Sequence, residues 1–115
     1  MDKVRYGREL LKGSTDTLIL SLFGEQPMYG YQLIKEMEKR SSGYFQFKEG
    51  TLYPALHRME KEGLITGKWQ QIPSGQERRY YYLTTKGRKI LSEKRAEWRE
   101  FSAAVNLIMG PATSS

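Results

Sequence analysis

A change in the spacing of apolar residues divides this 115-residue chain into three parts. Up to about residue 62, apolar side chains recur every three or four positions, which is the spacing of α-helices. From 65 to 83 the chain is rich in β-branched and aromatic residues, and after 84 the helical spacing returns. This order predicts a mainly α fold with one small β-hairpin.

The first part predicts a helical region and a separate second helix. Apolar residues at helical spacing cover residues 6 to 24. Gly24 ends that pattern, and Gly13 leaves open whether the region is one helix or two. After a turn the pattern resumes at about 29 and continues to about 41, where a cluster of turn-forming residues ends it.

A proline marks the start of the third predicted helix. Leu52, Leu56 and Met59 share one helical face. Pro54 has no amide hydrogen, and its ring clashes with the carbonyl four residues earlier, so we expect it in the first turn. The third helix is therefore predicted from about 51 to 62.

Two strands and a long helix complete the prediction. The strands span 65 to 72 and 78 to 83, and the four residues that begin with Pro73 suit a hairpin loop. The last helix runs from Thr84, as its N-cap, to Met109, where a glycine and a proline end it. Three helices followed by a hairpin are the order of a winged helix-turn-helix, in which the hairpin is the wing.

An apolar seam follows the last helix at alternating spacings of three and four residues, interrupted once by Lys94. Its apolar members are Leu91, Trp98, Phe101, Val105 and Ile108. A seam of this kind needs a second helix. The first helix of the same protomer is one alternative, but we expect two-fold pairing of two copies. The predicted division is a winged helix-turn-helix domain at 1–84, a dimerisation helix at 85–109 and a disordered tail at 110–115.

The chain is basic, with 19 Lys and Arg against 13 Asp and Glu and a net charge of +6. Such an excess attracts polyanions, of which nucleic acid and anionic membranes are the candidates. No apolar run approaches the roughly 20 residues that span a bilayer, and three glutamates on the last helix weaken surface binding. We expect no membrane association and, without a signal peptide, a cytoplasmic location.

Few residues in the sequence are suited to catalysis. Cysteine is absent and His57 is the only histidine, which excludes thiolate chemistry, disulfides and cysteine zinc sites. His57 and Glu60 are spaced i, i+3, but two ligands are too few for a closed zinc site. No glycine-rich phosphate loop is present. The chain is therefore predicted to be no enzyme and to need no metal or cofactor.

A cationic face lies opposite the apolar face of the third helix and is largely free of acidic residues. It carries Gly50, Pro54, His57, Arg58 and Lys61. The hairpin adds Lys68, Arg78 and Arg79. In a helix-turn-helix the third helix enters the major groove, and a ribbon of two strands can lie over a groove. The hairpin therefore favours DNA binding over the alternative of an ordinary solvated face.

Two groups near the strands have more than one interpretation. Lys86, Arg88 and Lys89 fall in the first turns of the last helix, where the macrodipole disfavours cations. Either a nearby phosphate or simple exposure explains them. Tyr80, Tyr81 and Tyr82 alternate between the two faces of a strand, so at least one must point inward, and strand packing is favoured over base stacking.

Four segments carry a resemblance to a known family. They are YGYQL from Tyr29, GTLYPALHRME from Gly50, GLI from Gly63 and RYYYLTTKG from Arg79. In this order, within about residues 10 to 109, they resemble the PadR family of bacterial transcriptional regulators. The resemblance implies a winged helix whose C-terminal helix forms a homodimer. Such a dimer has two copies of the third helix, which suit a palindromic operator in double-stranded DNA. The resemblance also implies a repressor, often released from DNA by a small aromatic or drug-like effector.

The resemblance implies DNA contacts at the start of the third helix and in the wing. These are Lys48, Thr51, Tyr53, Pro54, Lys68 and Arg79. Tyr53 lies beside the projected face, so it either supports the helix or reaches a phosphate with its hydroxyl. The single C-terminal helix resembles the compact subgroup, which lacks the effector apparatus of a larger C-terminal domain.

An effector site is implied on the dimer helix. In compact relatives that bind drugs, a tryptophan there can stack on a flat ligand, and Trp98 has the comparable position with Phe101 beside it. The alternative is that Trp98 only fills the dimer core. Two other functions compete with DNA binding: a protein-interaction module with the same dimer fold, and a hydrolase or metalloenzyme.

Overall fold

The computed structural model describes residues 14–110. Within that range the elements are, in order, α1 (Thr15–Glu25), β1 (Met28–Tyr29), α2 (Gly30–Arg40), α3 (Glu49–Lys61), β2 (Ile65–Gln71), β3 (Glu77–Leu83) and α4 (Thr85–Met109). The part of the first predicted helical region before residue 14, and the predicted tail after residue 110, lie outside the described residues.

The predicted mainly helical fold with a small β element is confirmed, and α2, α3, β2 and β3 begin and end within two residues of their predicted bounds. The start of α3 is two residues earlier than expected. The amides of Thr51 and Leu52 donate to the Lys48 carbonyl at 3.0 and 2.9 Å, which extends the helix backwards. The first-turn placement of Pro54 is therefore wrong, because this residue lies in the second turn of α3.

The sheet has three antiparallel strands in the order β1-β3-β2, one more than predicted. The extra strand is β1, in which Met28 pairs with Tyr81 and Tyr29 with Tyr80. Two residues are too short to show an alternating pattern, so this strand exists through its pairing with β3 and leaves no local signal.

Residues opposite one another in paired strands share a face of the sheet. The inner face carries Ile65 opposite Leu83 and Gly67 opposite Tyr81, and it continues to Trp69 opposite Arg79. The outer face carries Lys68 opposite Tyr80 and Gln70 opposite Arg78. Tyr81 is buried on the inner face, whereas Tyr80 and Tyr82 lie half-buried on the outer one. The expected inward tyrosine is thus Tyr81.

The inner face of the sheet and the helices enclose one apolar core. Its members are Ile19, Leu20, Leu22, Phe23, Met28, Leu33, Met37, Leu52, Leu56, Met59, Leu64, Ile65, Tyr81, Leu83 and Leu91. Every element contributes to it, which fixes α3 and the two long strands relative to one another.

The last helix begins and ends where the sequence predicts. The Thr84 hydroxyl accepts a hydrogen bond from the Gly87 amide at 3.0 Å, which makes Thr84 the N-cap. Gly110 ends the helix with φ of +83°, a conformation that suits glycine. Among the described residues, no helix is both long and apolar enough to cross a membrane.

Candidate nucleic-acid interface

One side of α3 is open to solvent along its whole length. Gly50, Pro54, His57 and Lys61 are exposed there, and we call these four residues the α3 stripe. A Cβ atom at Gly50 would meet nothing within 4 Å, so the backbone can be approached closely. Lys48 and Thr51 are exposed beside the start of the stripe. The six residues form a polar and cationic surface that begins at the N-terminus of α3.

Arg58, predicted on the same face, is bound by two carboxylates instead. Its two terminal nitrogens contact the two oxygens of Asp16 at 2.7 and 2.9 Å, and Glu62 lies at 3.2 Å. The hydrogen bond to Asp16 is the main cause of the raised pKa of Arg58. This ion pair connects α3 to α1 and occupies the guanidinium that the sequence assigned to DNA.

Arg79 is held in a similar way on the opposite side of α3. Its Nη2 donates to Glu60 Oε2 at 2.5 Å, and the same oxygen accepts from the Gly67 amide at 3.1 Å. A Cβ atom at Gly67 would lie 2.3 Å from Arg79 Nε, so a larger residue there would have to displace the guanidinium from this position. We call these three residues the wing clamp, because Glu60 of α3 thereby binds both strands of the wing.

The other two cations of the wing point away from the clamp, to the outer face. Arg78 lies over the ring of Tyr29, 4.4 Å from its centroid, and Lys68 lies 5.1 Å from the centroid of Tyr82. Tyr29 also contacts Tyr80 edge-on, at 5.4 Å between ring centroids. The cations predicted in the wing are therefore divided between the two faces of the sheet.

Tyr53 points towards α2 and not along the α3 stripe. A Cβ atom at Gly30 would lie 2.4 Å from the Tyr53 hydroxyl oxygen, so the ring rests directly on that glycine. Burial is the largest cause of the raised pKa of Tyr53. Of the two roles expected for this residue, the packing favours support of the helix.

The sequence did not reveal the roles of three residues in this region. Nothing in the sequence indicates that the carboxylates of Asp16 and Glu60 pair with Arg58 and Arg79. Trp69 is 63% exposed on the inner face, and its ring centroid lies 5.9 Å from the Arg79 guanidinium.

His57 and Glu60, the only metal-ligand pair that the sequence suggested, gain no third ligand. Across residues 14–110, no three His, Asp or Glu side chains come together as a metal site. Glu60 is instead bound to Arg79 and Gly67.

The residues predicted on the dimer seam separate into two groups along α4. Leu91 is only 4% exposed and packs in the core of its own protomer. Trp98 and Phe101 stack on each other with ring centroids 5.9 Å apart, and they are 58% and 61% exposed. Val105 is half-buried, whereas Ile108 is almost fully exposed.

Comparison with known proteins identifies the family. The model of the transcriptional regulator PadR-like family matches residues 19–93, from α1 through the wing to the first half of α4. The chain belongs to the PadR-like family. The PadR resemblance noted in the sequence is thereby confirmed, and the match covers most of the elements that build the α3 stripe and the wing.

This PadR-like chain has relatives of similar length. A protein of uncharacterised function from Lysinibacillus sphaericus is 36% identical over 101 residues, which cover 88% of this chain and 93% of that protein. The transcriptional regulator Rv3488 of Mycobacterium tuberculosis is 32% identical over 98 residues, which cover 85% and 88%. A PadR-like transcriptional regulator from Bacillus cereus has a similar solved structure, with a TM-score of 0.81, 35% identity and coverage of 90% and 98%.

Membership of the PadR-like family establishes the general function. The chain is a transcriptional regulator, and members of this family are not enzymes. PadR regulators bind DNA and are typically dimeric.

Proposed function

We propose that this PadR-like regulator is a sequence-specific repressor that binds a palindromic operator as a homodimer. The observation that carries the proposal is the α3 stripe: an exposed, polar helix face without a carboxylate, on a helix bound to neighbouring elements on both sides. An α-helix presented in this way fits the major groove, where its first residues reach base edges. Since the proposed partner is DNA, the proposed site of action is the cytoplasm.

The residues along the stripe have different proposed roles. Thr51, Pro54 and His57 face the bases, with Gly50 allowing close approach of the backbone. Lys48 and Lys61, at the two ends of α3, neutralise phosphates, as do Lys68 and Arg78 of the wing. Tyr53 supports α3 from behind through its contact with Gly30.

Arg58 and Arg79 have a positioning role in this proposal. Each already has a carboxylate partner at hydrogen-bonding distance, and a phosphate would have to displace that partner. Arg58 sets the angle of α3 against α1, and Arg79 sets the position of the wing against α3. Their contribution to DNA affinity is then indirect, because they hold α3 and the wing at positions that match the spacing of the DNA grooves.

The second half of α4 provides the proposed dimer interface. One side of this half carries Trp98, Phe101, Val105 and Ile108. Val105 is half-buried, and the other three side chains are mostly exposed. Apolar surface of this extent marks an interaction site, and a two-fold partner covers it with the same residues. Pairing also supplies two copies of α3 for two half-sites of an operator.

The same helix supplies the proposed effector site. The stacked pair of Trp98 and Phe101 presents flat aromatic surface, which favours a planar aromatic molecule. A ligand there would lie at the dimer interface, where a change in the angle between protomers changes the distance between the two copies of α3. Release from DNA requires that the ligand binds the two dimer arrangements with different affinity.

The deciding experiment is fluorescence anisotropy of the protein on DNA from upstream of its own gene, with a scrambled duplex as control, across a salt series. We expect tighter binding to the native duplex and an affinity that falls steeply as salt rises. The Lys61→Ala variant should weaken binding to both duplexes and reduce the salt slope by about two units, one for each protomer of the dimer, whereas His57→Ala should reduce the preference between them. Lys39→Ala, a cation at the end of α2, is the matched control.

Two variants separate positioning from direct contact. If Arg79 positions the wing, Glu60→Gln and Arg79→Gln should weaken DNA binding by similar factors. If Arg79 instead contacts phosphate, only Arg79→Gln weakens it, because Glu60→Gln releases the guanidinium for DNA. Suppose that binding is equally weak to the native duplex, to the scrambled duplex and to duplexes selected for binding from a random pool. That result would contradict sequence-specific DNA recognition and favour a protein-interaction module. In that case a Lys68→Ala, Arg79→Ala variant should keep its activity.

A further inference from the structure

A groove of about 480 Å³ lies between the end of α1 and the middle of α4. It is away from the α3 stripe and the wing loop, and the proposed function assigns it no role. Pockets that bind small molecules usually have volumes of about 300 to 1,000 Å³. The groove is therefore large enough to hold a small organic molecule.

Three arginines line this groove, and we call it the arginine groove. Arg88, Arg95 and Arg99 are seven and four residues apart, so all three project from the same side of α4. Arg95 and Arg99 are one helical turn apart, at a spacing where like charges repel. An anion between them would remove that repulsion and could be bound by two guanidinium groups at once.

The protein supplies little negative charge of its own to this groove. Glu25 is the only acidic residue of the lining, and its Oε2 already accepts a hydrogen bond from Arg40 at 2.7 Å. That hydrogen bond is the main cause of the lowered pKa of Glu25, and the charges of Arg40 and Arg95 lower it further, so Glu25 offsets part of the charge of Arg95. Within residues 14–110, no carboxylate forms an ion pair with Arg88, Arg95 or Arg99. The arginines of α2, α3 and the inner face of β3 all have such partners.

The rest of the lining is largely apolar. Leu83 and Leu91 are buried core residues whose side chains reach the groove, and Gly24 of α1 lies against them. A Cβ atom at Gly24 would lie 3.1 Å from Leu91, so glycine allows α1 and α4 to approach closely here. Ser92 adds one hydroxyl. The groove thus combines an apolar base with a cationic rim.

We propose that the arginine groove binds a small organic phosphate. The apolar part of the ligand rests on Leu83 and Leu91, and the phosphate lies between Arg95 and Arg99. Guanidinium groups match phosphate with paired hydrogen bonds. A phosphate monoester carries close to two negative charges at neutral pH, which balances three arginines better than a single carboxylate does. The concave, partly apolar lining favours a small molecule over the backbone of DNA.

Direct binding measurements test this site without DNA, so the result does not depend on the proposed function. The full chain is titrated by calorimetry with phenyl phosphate, which joins an apolar ring to a phosphate. We expect saturable binding that Arg95→Gln weakens, weaker binding of inorganic phosphate, and no binding of phenol that depends on Arg95. Arg95→Gln and Arg99→Gln should each weaken phenyl phosphate binding by about tenfold or more.

Lys39→Gln removes an exposed cation elsewhere and should leave the affinity for phenyl phosphate unchanged. Circular dichroism checks that each variant is folded. If Arg95→Gln does not fold, Arg99→Gln is used instead, because Arg99 lies further from the core. Absence of saturable phenyl phosphate binding would overturn the proposal, as would an equal loss of phenol binding in Arg95→Gln or an equal loss of phenyl phosphate binding in Lys39→Gln. If Arg95→Gln left phenyl phosphate binding intact and weakened only duplex binding, the arginines would be DNA contacts and the proposal would also fail.

Discussion

The two halves of α4 have different surroundings although they share one seam of apolar residues. In the first half, Gly87 and Leu91 are buried against the protomer's own core. In the second half, Trp98, Phe101 and Ile108 are mostly exposed. The first half thus belongs to the fold of one protomer, whereas the second half has an apolar side that the described part of the chain does not cover.

Helix length explains this difference. At 1.5 Å per residue, the 25 residues of α4 extend for about 37 Å and the 11 residues of α1 for about 16 Å. The described part of α1 can therefore lie along less than half of α4, and it packs against the part that includes Leu91. A regular repeat in a sequence shows that a helix must be covered, but not by which partner at each position.

Leu91→Ala should produce the largest effect, because it leaves a cavity where α4 meets Gly24 and Leu83. We expect the free energy of unfolding to fall by about 2 to 5 kcal/mol. Urea denaturation at fixed protomer concentration measures it. Leu107→Ala, at a highly exposed position off the seam, should change stability by less than about 0.5 kcal/mol. If Leu91→Ala dissociated the dimer without lowering the stability of the protomer, Leu91 would belong to the dimer interface, and the two halves of α4 would not differ.

Gly87→Ala should be the next most damaging change. A Cβ atom there would lie 2.1 Å from the Leu64 carbonyl oxygen, so the first turn of α4 would have to move away from the core. A loss of about 1 to 3 kcal/mol is expected in the same denaturation experiment. Gly50→Ala is the matched control, since its added methyl group meets no atom within 4 Å. Equal stability of the two variants would show that α4 is not held closely at Gly87.

Trp98→Ala tests the second half and depends on the proposed dimer. Removing this side chain should weaken association by about 2 kcal/mol, or roughly 30-fold, as for a central interface residue. Sedimentation equilibrium over a dilution series measures the dissociation constant, with Leu107→Ala as the control outside the seam. A dimer that survives Trp98→Ala but dissociates in Leu107→Ala would place the interface on another side of α4.

Thr84→Ala should have the smallest effect of the four. It removes the N-cap of α4 and the hydrogen bonds from its hydroxyl to the carbonyls of Gly63 and Leu64. A loss of about 1 kcal/mol is expected in urea denaturation, and Thr84→Ser should recover most of it because serine keeps the hydroxyl. If serine and alanine were equally destabilising, the Thr84 methyl group and not the cap would be responsible.

Much of the fold could be predicted because its signals are local. The pattern of Leu52, Leu56 and Met59 identifies α3, and the change to β-rich composition locates both long strands. β1 could not be predicted, because Met28 and Tyr29 become a strand only by pairing with a segment about fifty residues later.

The candidate site was predictable in outline but not in its contacts. The open side of α3 follows from helical periodicity, so the α3 stripe could be drawn from the sequence. The partners of Arg58 and Arg79 could not, because Asp16 and Glu60 are 42 and 19 residues away along the chain. Leu91 was assigned to a partner helix for the same reason, since only the tertiary structure brings α1 against it.

The wing clamp has a consequence for how this sequence can diverge. Gly67 leaves room for Arg79, Arg79 neutralises Glu60, and Glu60 accepts the amide hydrogen of Gly67. A larger residue at 67 displaces the arginine, and loss of the arginine leaves an unpaired carboxylate next to the backbone. Positions 60, 67 and 79 should therefore be kept or replaced together in related proteins.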